Sequence, residues 1–251
     1  MSKYPVDLIT ILGPTASGKT PFAAHLAHTL SDAEIISADS RMVYRGMTIG
    51  SGKDLDDYIV QGQQVPYHLI DICEPGYRFN VYEFQCAFQN AYMDITARQR
   101  MPIMCGGTGL YIESVLKSYE LGQVRFPERK SLTIGLKIDR DLRREKITRR
   151  LKARLEEGMI EEVQSLLQTV SAERLIRYGL EYKFVTLYCT SQLSYDEMFR
   201  QLEIAIHQFA KRQMTWFRGM EERRGIPIHW IDATLPHEEK VSMVLDMLQK
   251  Q

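Results

Sequence analysis

"LGPTASGKTPF", residues 12–22, decides the fold of this chain. The stretch matches G-x-x-x-x-G-K-S/T at every required position, from Gly13 to Thr20. In such a loop the glycines let main-chain N–H groups turn inward around phosphate oxygens, the lysine reaches the outer phosphate, and the hydroxyl binds Mg²⁺. The apolar run 6–13 before it predicts a buried strand, and residues 19–30 have helical spacing. We therefore interpret it as a phosphate-binding loop; the alternative is a glycine turn that only caps a helix.

The rest of the chain repeats the alternation of strand and helix. Further buried strands are predicted at 34–40, 101–107, 131–139 and 226–232, and helices at 81–100, at 139–158 and from the Ser194-x-x-Glu197 capping box onward. This order predicts an α/β fold, a P-loop NTPase-like parallel sheet flanked by helices, with a mostly helical C-terminal half. We expect residues 1–251 to form a single domain whose helical part spans 140–222, and 50–80 to be a long active-site loop.

The composition favours an enzyme in solution. The chain has 251 residues, of which 44% are apolar and 25% charged. Its 32 basic and 32 acidic residues cancel, which argues against a general polyanion binder but allows a local basic face. The four cysteines lack C-x-x-C spacing, and no apolar run reaches the roughly 20 residues that span a bilayer. These features predict a cytoplasmic protein with no membrane partner, and nothing requires more than a monomer.

Asp39 is a candidate for the chemistry beside the loop. It stands at the carboxyl end of the predicted second strand, where open α/β sheets bind their ligands. Two alternatives are that it caps a following helix or that it holds magnesium through water. The loop itself does not distinguish a kinase, which transfers a phosphoryl group, from an enzyme in which bound pyrophosphate departs as a leaving group.

Five segments in order resemble the tRNA dimethylallyltransferase family, also called isopentenyltransferases. They are "GPTASGKT", "SADSRMVYRGMTIGSGK", "YHLIDICEP", "PIMCGGTGLYIESVL" and "AKRQMTWFRG". The first is common to nucleotide-binding proteins, and the other four are characteristic of this family. The resemblance implies that dimethylallyl diphosphate donates its prenyl group to N6 of adenine-37 in the tRNA anticodon loop, with release of pyrophosphate. It also implies Mg²⁺ as the cofactor.

The resemblance assigns roles to individual residues. Asp39 matches the general base, and Lys19 and Thr108 complete the expected catalytic set. The residues expected to bind diphosphate are Gly13, Thr15, Ala16, Ser17, Gly18, Lys19, Thr20 and Arg150, the last through an I-x-x-R pattern, with Thr20 also binding the metal. The residues expected to contact the acceptor are Ser40, Lys211, Arg212 and Gln213. For the last segment the alternative is that Phe209, Trp216 and Phe217 are core residues beside a solvated charged face.

The chain departs from the family at its acceptor end. Bacterial relatives usually carry a helical insertion that grips the anticodon stem. Here 116–136 connects the two neighbouring segments in about twenty residues, so we expect the insertion to be reduced or missing near 118–131. Met42 replaces a frequent glutamine, and "YGLEYKF" at 178–184 alters a glycine-tyrosine-basic pattern. The acceptor therefore stays open between tRNA, which we favour, and a free adenosine nucleotide (AMP, ADP or ATP). Further alternatives are an ATP-dependent nucleoside or small-molecule kinase, motivated by the loop alone, and a non-catalytic RNA-binding paralogue.

Overall fold

A six-stranded parallel sheet carries the phosphate loop at its centre. The computed structural model describes residues 4–122 and 127–250. The strands of the sheet are β1 (Leu8–Leu12), β2 (Ala33–Ser37), β5 (Tyr67–His68), β6 (Met101–Gly106), β7 (Ser131–Lys137) and β8 (His229–Asp232). Their order is β5-β2-β6-β1-β7-β8, and all neighbouring pairs are parallel. Two short strands, β3 (Ile59–Val60) and β4 (Gln63–Gln64), form a separate antiparallel pair.

Helices cover both faces of this sheet. They are α1 (Lys19–Leu30), α2 (Val81–Ala97), α3 (Gly109–Leu116), α4 (Arg140–Glu156), α5 (Met159–Leu166), α6 (Ala172–Arg177), α7 (Leu180–Cys189), α8 (Tyr195–Arg224) and α9 (His237–Gln249). Successive side chains of β1 point to opposite faces. Ile9 and Ile11 join the core cluster under α1 and α9, whereas Leu8 and Leu12 join the cluster under α2, α3 and the end of α8. The predicted α/β fold is thus confirmed.

The helical half has its own hydrophobic cluster, built from α4 to α7 and the first part of α8. Ile147 and Leu151 of α4 are 2% exposed there, and the cluster also takes in Val43 and Met47 from the segment after β2. Helix α8 is 30 residues long, about 45 Å at 1.5 Å per residue, and belongs to two clusters. It begins with the predicted capping box, in which Ser194 and Glu197 satisfy each other's main-chain N–H groups. This helix therefore ties the helical half to the sheet.

The structure differs from the sequence-based prediction for residues 50–80. Residues 50–80 contain more structure than a loop: a 3₁₀ turn at Leu55–Tyr58, the β3–β4 pair, and edge strand β5, which pairs with Ile35 and Ile36. Strands of two residues are too short to show periodicity in sequence. The family's insertion was expected to be reduced or missing near 118–131. Residues 123–126 of that stretch lie outside the described residues. None of the described helices is long and apolar enough to cross a membrane, and the four cysteines are free thiols.

Candidate active site

The phosphate loop turns sharply from β1 into α1. Gly18, the N-cap residue of α1, has φ of 73°, and Ala16 has φ of 62°, a left-handed conformation that costs energy for a residue with a Cβ atom. A Cβ atom on Gly13 would lie 2.7 Å from Ser17 Oγ. No side chain caps the N-terminus of α1, and the Ser17 hydroxyl is buried without a hydrogen-bond partner in the part of the chain that the structure describes. The loop therefore offers free donors to an anion.

Cations surround this loop. Burial lowers the pKa of the Lys19 ammonium. Burial also lowers the pKa of Arg150 to about 10, with the neighbouring charge of Arg154 as a further cause. The Arg150 guanidinium reaches across from α4 and donates to the Thr15 hydroxyl. Lys19 and Arg150 are half-buried. Partly desolvated cations that lie close together are costly unless an anion accompanies them, so this end of the cavity is suited to a polyanionic ligand.

Asp39 lies at the carboxyl end of β2, beside the loop. Its Oδ1 accepts the Arg41 N–H at 2.9 Å. The chain then continues through turns, and the next helical residues are those of the 3₁₀ turn that begins at Leu55. Asp39 therefore shapes a turn and does not cap a helix. Its side chain is partly exposed to the cavity that Lys19 and Arg150 also line.

Thr108 fixes the neighbouring strand end. It is the N-cap residue of α3, and its Oγ1 accepts the Ser40 N–H at 3.0 Å and lies 3.3 Å from Ser40 Oγ. The Thr108 N–H donates to the carbonyl of Ala38 at 3.2 Å. The approach is close because Gly106 has no side chain: a Cβ atom there would lie 2.3 Å from the Ala38 carbonyl oxygen. The ends of β2 and β6 are thus locked together, and Asp39 lies at that junction.

Gln213 of α8 forms a wall between the two ends of the site. It is 6% exposed, its Oε1 accepts the Thr15 N–H at 2.8 Å, and its Nε2 donates to the Gly107 carbonyl at 2.9 Å. Both ends of its amide are therefore engaged with the main chain. Lys211 and Arg212, its neighbours in sequence, are exposed and line an adjoining cavity between α3 and α8.

The structure thus gathers most of the expected residues but separates a few. The cavity is lined by Thr15, Ala16, Gly18, Lys19, Thr20, Asp39, Arg150 and Gln213. Gly13, Ser17, Ser40 and Thr108 lie behind or beside this lining in contacts already described, and Lys211 and Arg212 lie outside it.

Several charged groups of the cavity were not predicted from the sequence. Arg41, Asp54 and Asp57 also line the cavity. Arg41 Nη1 donates to Glu181 at 2.5 Å, and Glu181 is 3% exposed, so it is a buried counter-ion. Burial raises the pKa of Asp57 to about 6, with Asp54 nearby as a second cause. Only Arg41, two residues from Asp39, could have been noticed in the sequence; the others come from parts of the chain that only folding brings near.

Comparison of the sequence with known proteins identifies the family of this chain. The model of the family described as IPP transferase matches residues 42–131 and 122–220. The tRNA dimethylallyltransferase 2 of Phocaeicola vulgatus is 52% identical over 99% of both chains, and the tRNA dimethylallyltransferase 1 of Parabacteroides distasonis is 53% identical over 98% of both. The first alignment extends over 307 positions against the 251 residues of this chain, so at least 56 positions have no counterpart here.

Solved structures agree with this placement. The full-length tRNA isopentenylpyrophosphate transferase from Bacillus halodurans superposes with a TM-score of 0.82 at 28% identity, over 97% of this chain and 95% of that one. Sequence relatives, family match and fold agree, and the chain belongs to the IPP transferase family.

Proposed function

We propose that this protein transfers a dimethylallyl group from dimethylallyl diphosphate to N6 of adenine-37 in tRNA, with release of pyrophosphate. One observation carries the proposal: a carboxylate, Asp39, shares a single cavity with the phosphate loop and its cations, Lys19 and Arg150. A phosphate cradle alone would serve many reactions. A carboxylate at the same cavity supplies the base that an amine acceptor requires.

The chemistry divides between the two ends of the cavity. The exocyclic amine of adenine is a weak nucleophile, since its lone pair is delocalised into the ring. As nitrogen bonds to C1 of the prenyl group, the bond from C1 to the diphosphate oxygen breaks and Asp39 takes the proton from nitrogen. The negative charge that grows on the leaving diphosphate is offset by Lys19, Arg150 and the loop N–H groups, which the fold has already oriented.

The oxygen donors of the cavity fit a magnesium ion. The Thr20 hydroxyl and the carboxylates of Asp39 and Asp57 line it together. Mg²⁺ prefers such oxygens and usually keeps several waters while binding substrate phosphates and one or two carboxylates. We propose Thr20 as its protein ligand, with Asp57 of the same cavity as a second candidate. Bound there, the ion would supply further positive charge to the departing diphosphate.

The acceptor end is organised by Ser40 and Thr108. Their mutual hydrogen bonds hold the turn that carries Asp39. Ser40 Oγ accepts from Thr108, and we propose that its own hydrogen orients either the carboxylate or the adenine. Gln213 supports the same end from the wall, and we assign it to positioning because both of its amide groups are engaged. Lys211 and Arg212 are exposed, so we propose that they contact RNA phosphates.

The alignment length supports a reduced RNA-binding region. At least 56 aligned positions of the Phocaeicola relative have no counterpart in this chain, and the family match is split into two parts that meet near residues 122–131. We propose that the helical insertion that grips the anticodon stem is absent at this point. Both ends of the site come from one chain, which supports a monomer, and a tRNA substrate supports a cytoplasmic enzyme.

A competition assay tests the function. Purified protein receives dimethylallyl diphosphate, Mg²⁺, unmodified tRNA and AMP together, and mass spectrometry follows both acceptors. We expect N6-isopentenyladenosine in the digested tRNA and none on AMP. Product on AMP alone would show an adenylate dimethylallyltransferase, and transfer of a labelled γ-phosphate from ATP in a parallel reaction would show a kinase.

A further inference from the structure

A second cavity, of about 530 Å³, lies between α3 and α8 next to the acceptor end of the site. Its wall includes Glu113 of α3 and Trp216 of α8. Helix α3 starts directly after Thr108, and a Cβ atom on Gly109 would lie 2.3 Å from Cδ1 of the Trp216 indole. The indole therefore rests on the first turn of the helix whose N-cap residue is Thr108. The cavity therefore lies beside the first turn of α3, next in sequence to Thr108.

The Trp216 side chain faces this cavity more than it faces the core. It is 40% exposed, whereas its neighbour Phe217 is completely buried among the residues under the sheet. The core interpretation of the aromatic residues is therefore correct for Phe217 and fails for Trp216. A large apolar ring left partly in water at a cavity wall offers a stacking surface for a planar ligand.

Positive charge surrounds the indole. Lys211, Arg212, Arg223 and Arg224 line the same cavity. Arg224 donates to Glu113 at 2.8 Å, but Lys211, Arg212 and Arg223 have no ion-pair partner among residues 4–122 and 127–250. Arg223 folds back over the preceding helical turn, since a Cβ atom on Gly219 would lie 2.5 Å from Arg223 Nη2. Three cations without an ion-pair partner in the described part of the chain therefore line the same cavity as the exposed ring.

We propose that this cavity binds the RNA nucleotide next to the target adenine, with its base stacked on the Trp216 indole and its phosphate held by Lys211 and Arg223. The proposal rests on the function proposed above. An aromatic face combined with unpaired cations is how proteins hold unstacked bases of single-stranded RNA. A free mononucleotide has no neighbouring base, so the cavity also favours a polynucleotide acceptor over AMP.

Binding of a synthetic anticodon stem–loop RNA to Trp216 variants tests the proposal. Trp216→Ala is expected to raise the Kd for this RNA and its KM roughly tenfold, because a single base stack contributes about that much. Trp216→Phe keeps a ring and should recover most of the loss, and neither variant should change the KM for dimethylallyl diphosphate. Tyr195→Ala is the matched control: Tyr195 is an aromatic residue of the same helix, 44% exposed and outside the cavity wall.

Fluorescence gives a second readout that does not depend on removing the ring. The chain has two tryptophans, and the other one, Trp230, packs against Gly135. In a Trp230→Phe background the stem–loop RNA should quench the emission of Trp216. Gly109→Ala, whose new methyl would displace the indole, should weaken both the quench and the binding. Thermal melts confirm that each variant is folded.

The outcomes separate the two proposals. If the Trp216→Ala protein is folded and binds the stem–loop as tightly as the wild type, or if RNA leaves the emission of Trp216 unchanged, the flanking-nucleotide site is wrong while prenyl transfer stands. If the wild type binds the stem–loop and quenches but forms no prenylated product, the cavity stands and the proposed reaction is wrong.

Discussion

The Thr108 hydroxyl accepts the main-chain N–H of Ser40 at 3.0 Å, and this bond joins the end of β2 to the end of β6. Asp39 immediately precedes Ser40, so the direction of its carboxylate depends on a hydroxyl 69 residues away in the sequence. The proposed base is held from the neighbouring strand as well as by its own turn. Precise placement of a base strongly affects its rate of proton transfer.

Removal of this bond should therefore slow the reaction without weakening diphosphate binding. Thr108→Ala is expected to lower kcat roughly tenfold and to leave the Kd for dimethylallyl diphosphate unchanged, because the loop and its cations are intact. Thr108→Ser keeps the hydroxyl and is the control. Equal kcat values for the alanine and serine variants would show that the bond does not position Asp39.

Gln213→Ala should destabilise the fold around the cavity. It leaves the Thr15 N–H and the Gly107 carbonyl, both buried against α8, without their partner. Such a loss costs about 2 kcal/mol, which urea unfolding resolves. Gln208→Ala, on the exposed side of the same helix, is the control and should change the free energy of unfolding by less than about 0.5 kcal/mol. Similar values for both variants would contradict the bridging role.

Arg150→Ala should raise the KM for dimethylallyl diphosphate. The guanidinium lies against Thr15 in the phosphate loop, and a charge-assisted hydrogen bond to a phosphate oxygen contributes about 2 kcal/mol, or roughly thirtyfold. Arg149→Ala removes an equal charge from an exposed position on the same helix and serves as the control. A comparable KM for the two variants would show that Arg150 does not contact the diphosphate.

Asp57 should make stability depend on pH in the acid range. Burial, and after it the charge of Asp54, raises the pKa of Asp57 to about 6 from an ordinary value of 3.8. Between these values the folded protein holds a proton that the unfolded chain has lost, so stability falls as pH rises from about 4 to about 6. Asp57→Asn removes this loss. Its Tm should exceed that of the wild type at pH 8 and approach it at pH 4; a pH-independent difference would contradict the shifted pKa.

The sequence predicts the fold well because its signals are local. The run 6–13, the motif from Gly13 to Thr20 and the Ser194-x-x-Glu197 box each specify their own element, and the alternation of strands and helices leaves few arrangements of the sheet. Strand β5 was not predicted because two residues are too few to show a periodic pattern. It is defined by its pairing with Ile35 and Ile36.

Some residues of the site could also be predicted from local sequence, and others could not. Residues within the loop and directly after β2 could be named from their motifs, but Glu181 and Asp57 could not, since their proximity to Arg41 and Lys19 arises only on folding. The same holds for Trp216. Helical spacing places aromatic residues of α8 on one face or another, and only the packing of α3 shows that Phe217 is buried while Trp216 lines a cavity.

The most direct test of the central claim is the single-turnover rate of prenyl transfer by Asp39→Asn, measured with saturating dimethylallyl diphosphate and tRNA. Asparagine keeps the size of the side chain and can still accept the Arg41 N–H, but it cannot take a proton from the adenine amine. We expect a rate lower by about 10²-fold or more, with unchanged diphosphate binding. A rate close to that of the wild type would contradict the assignment of Asp39 as the base.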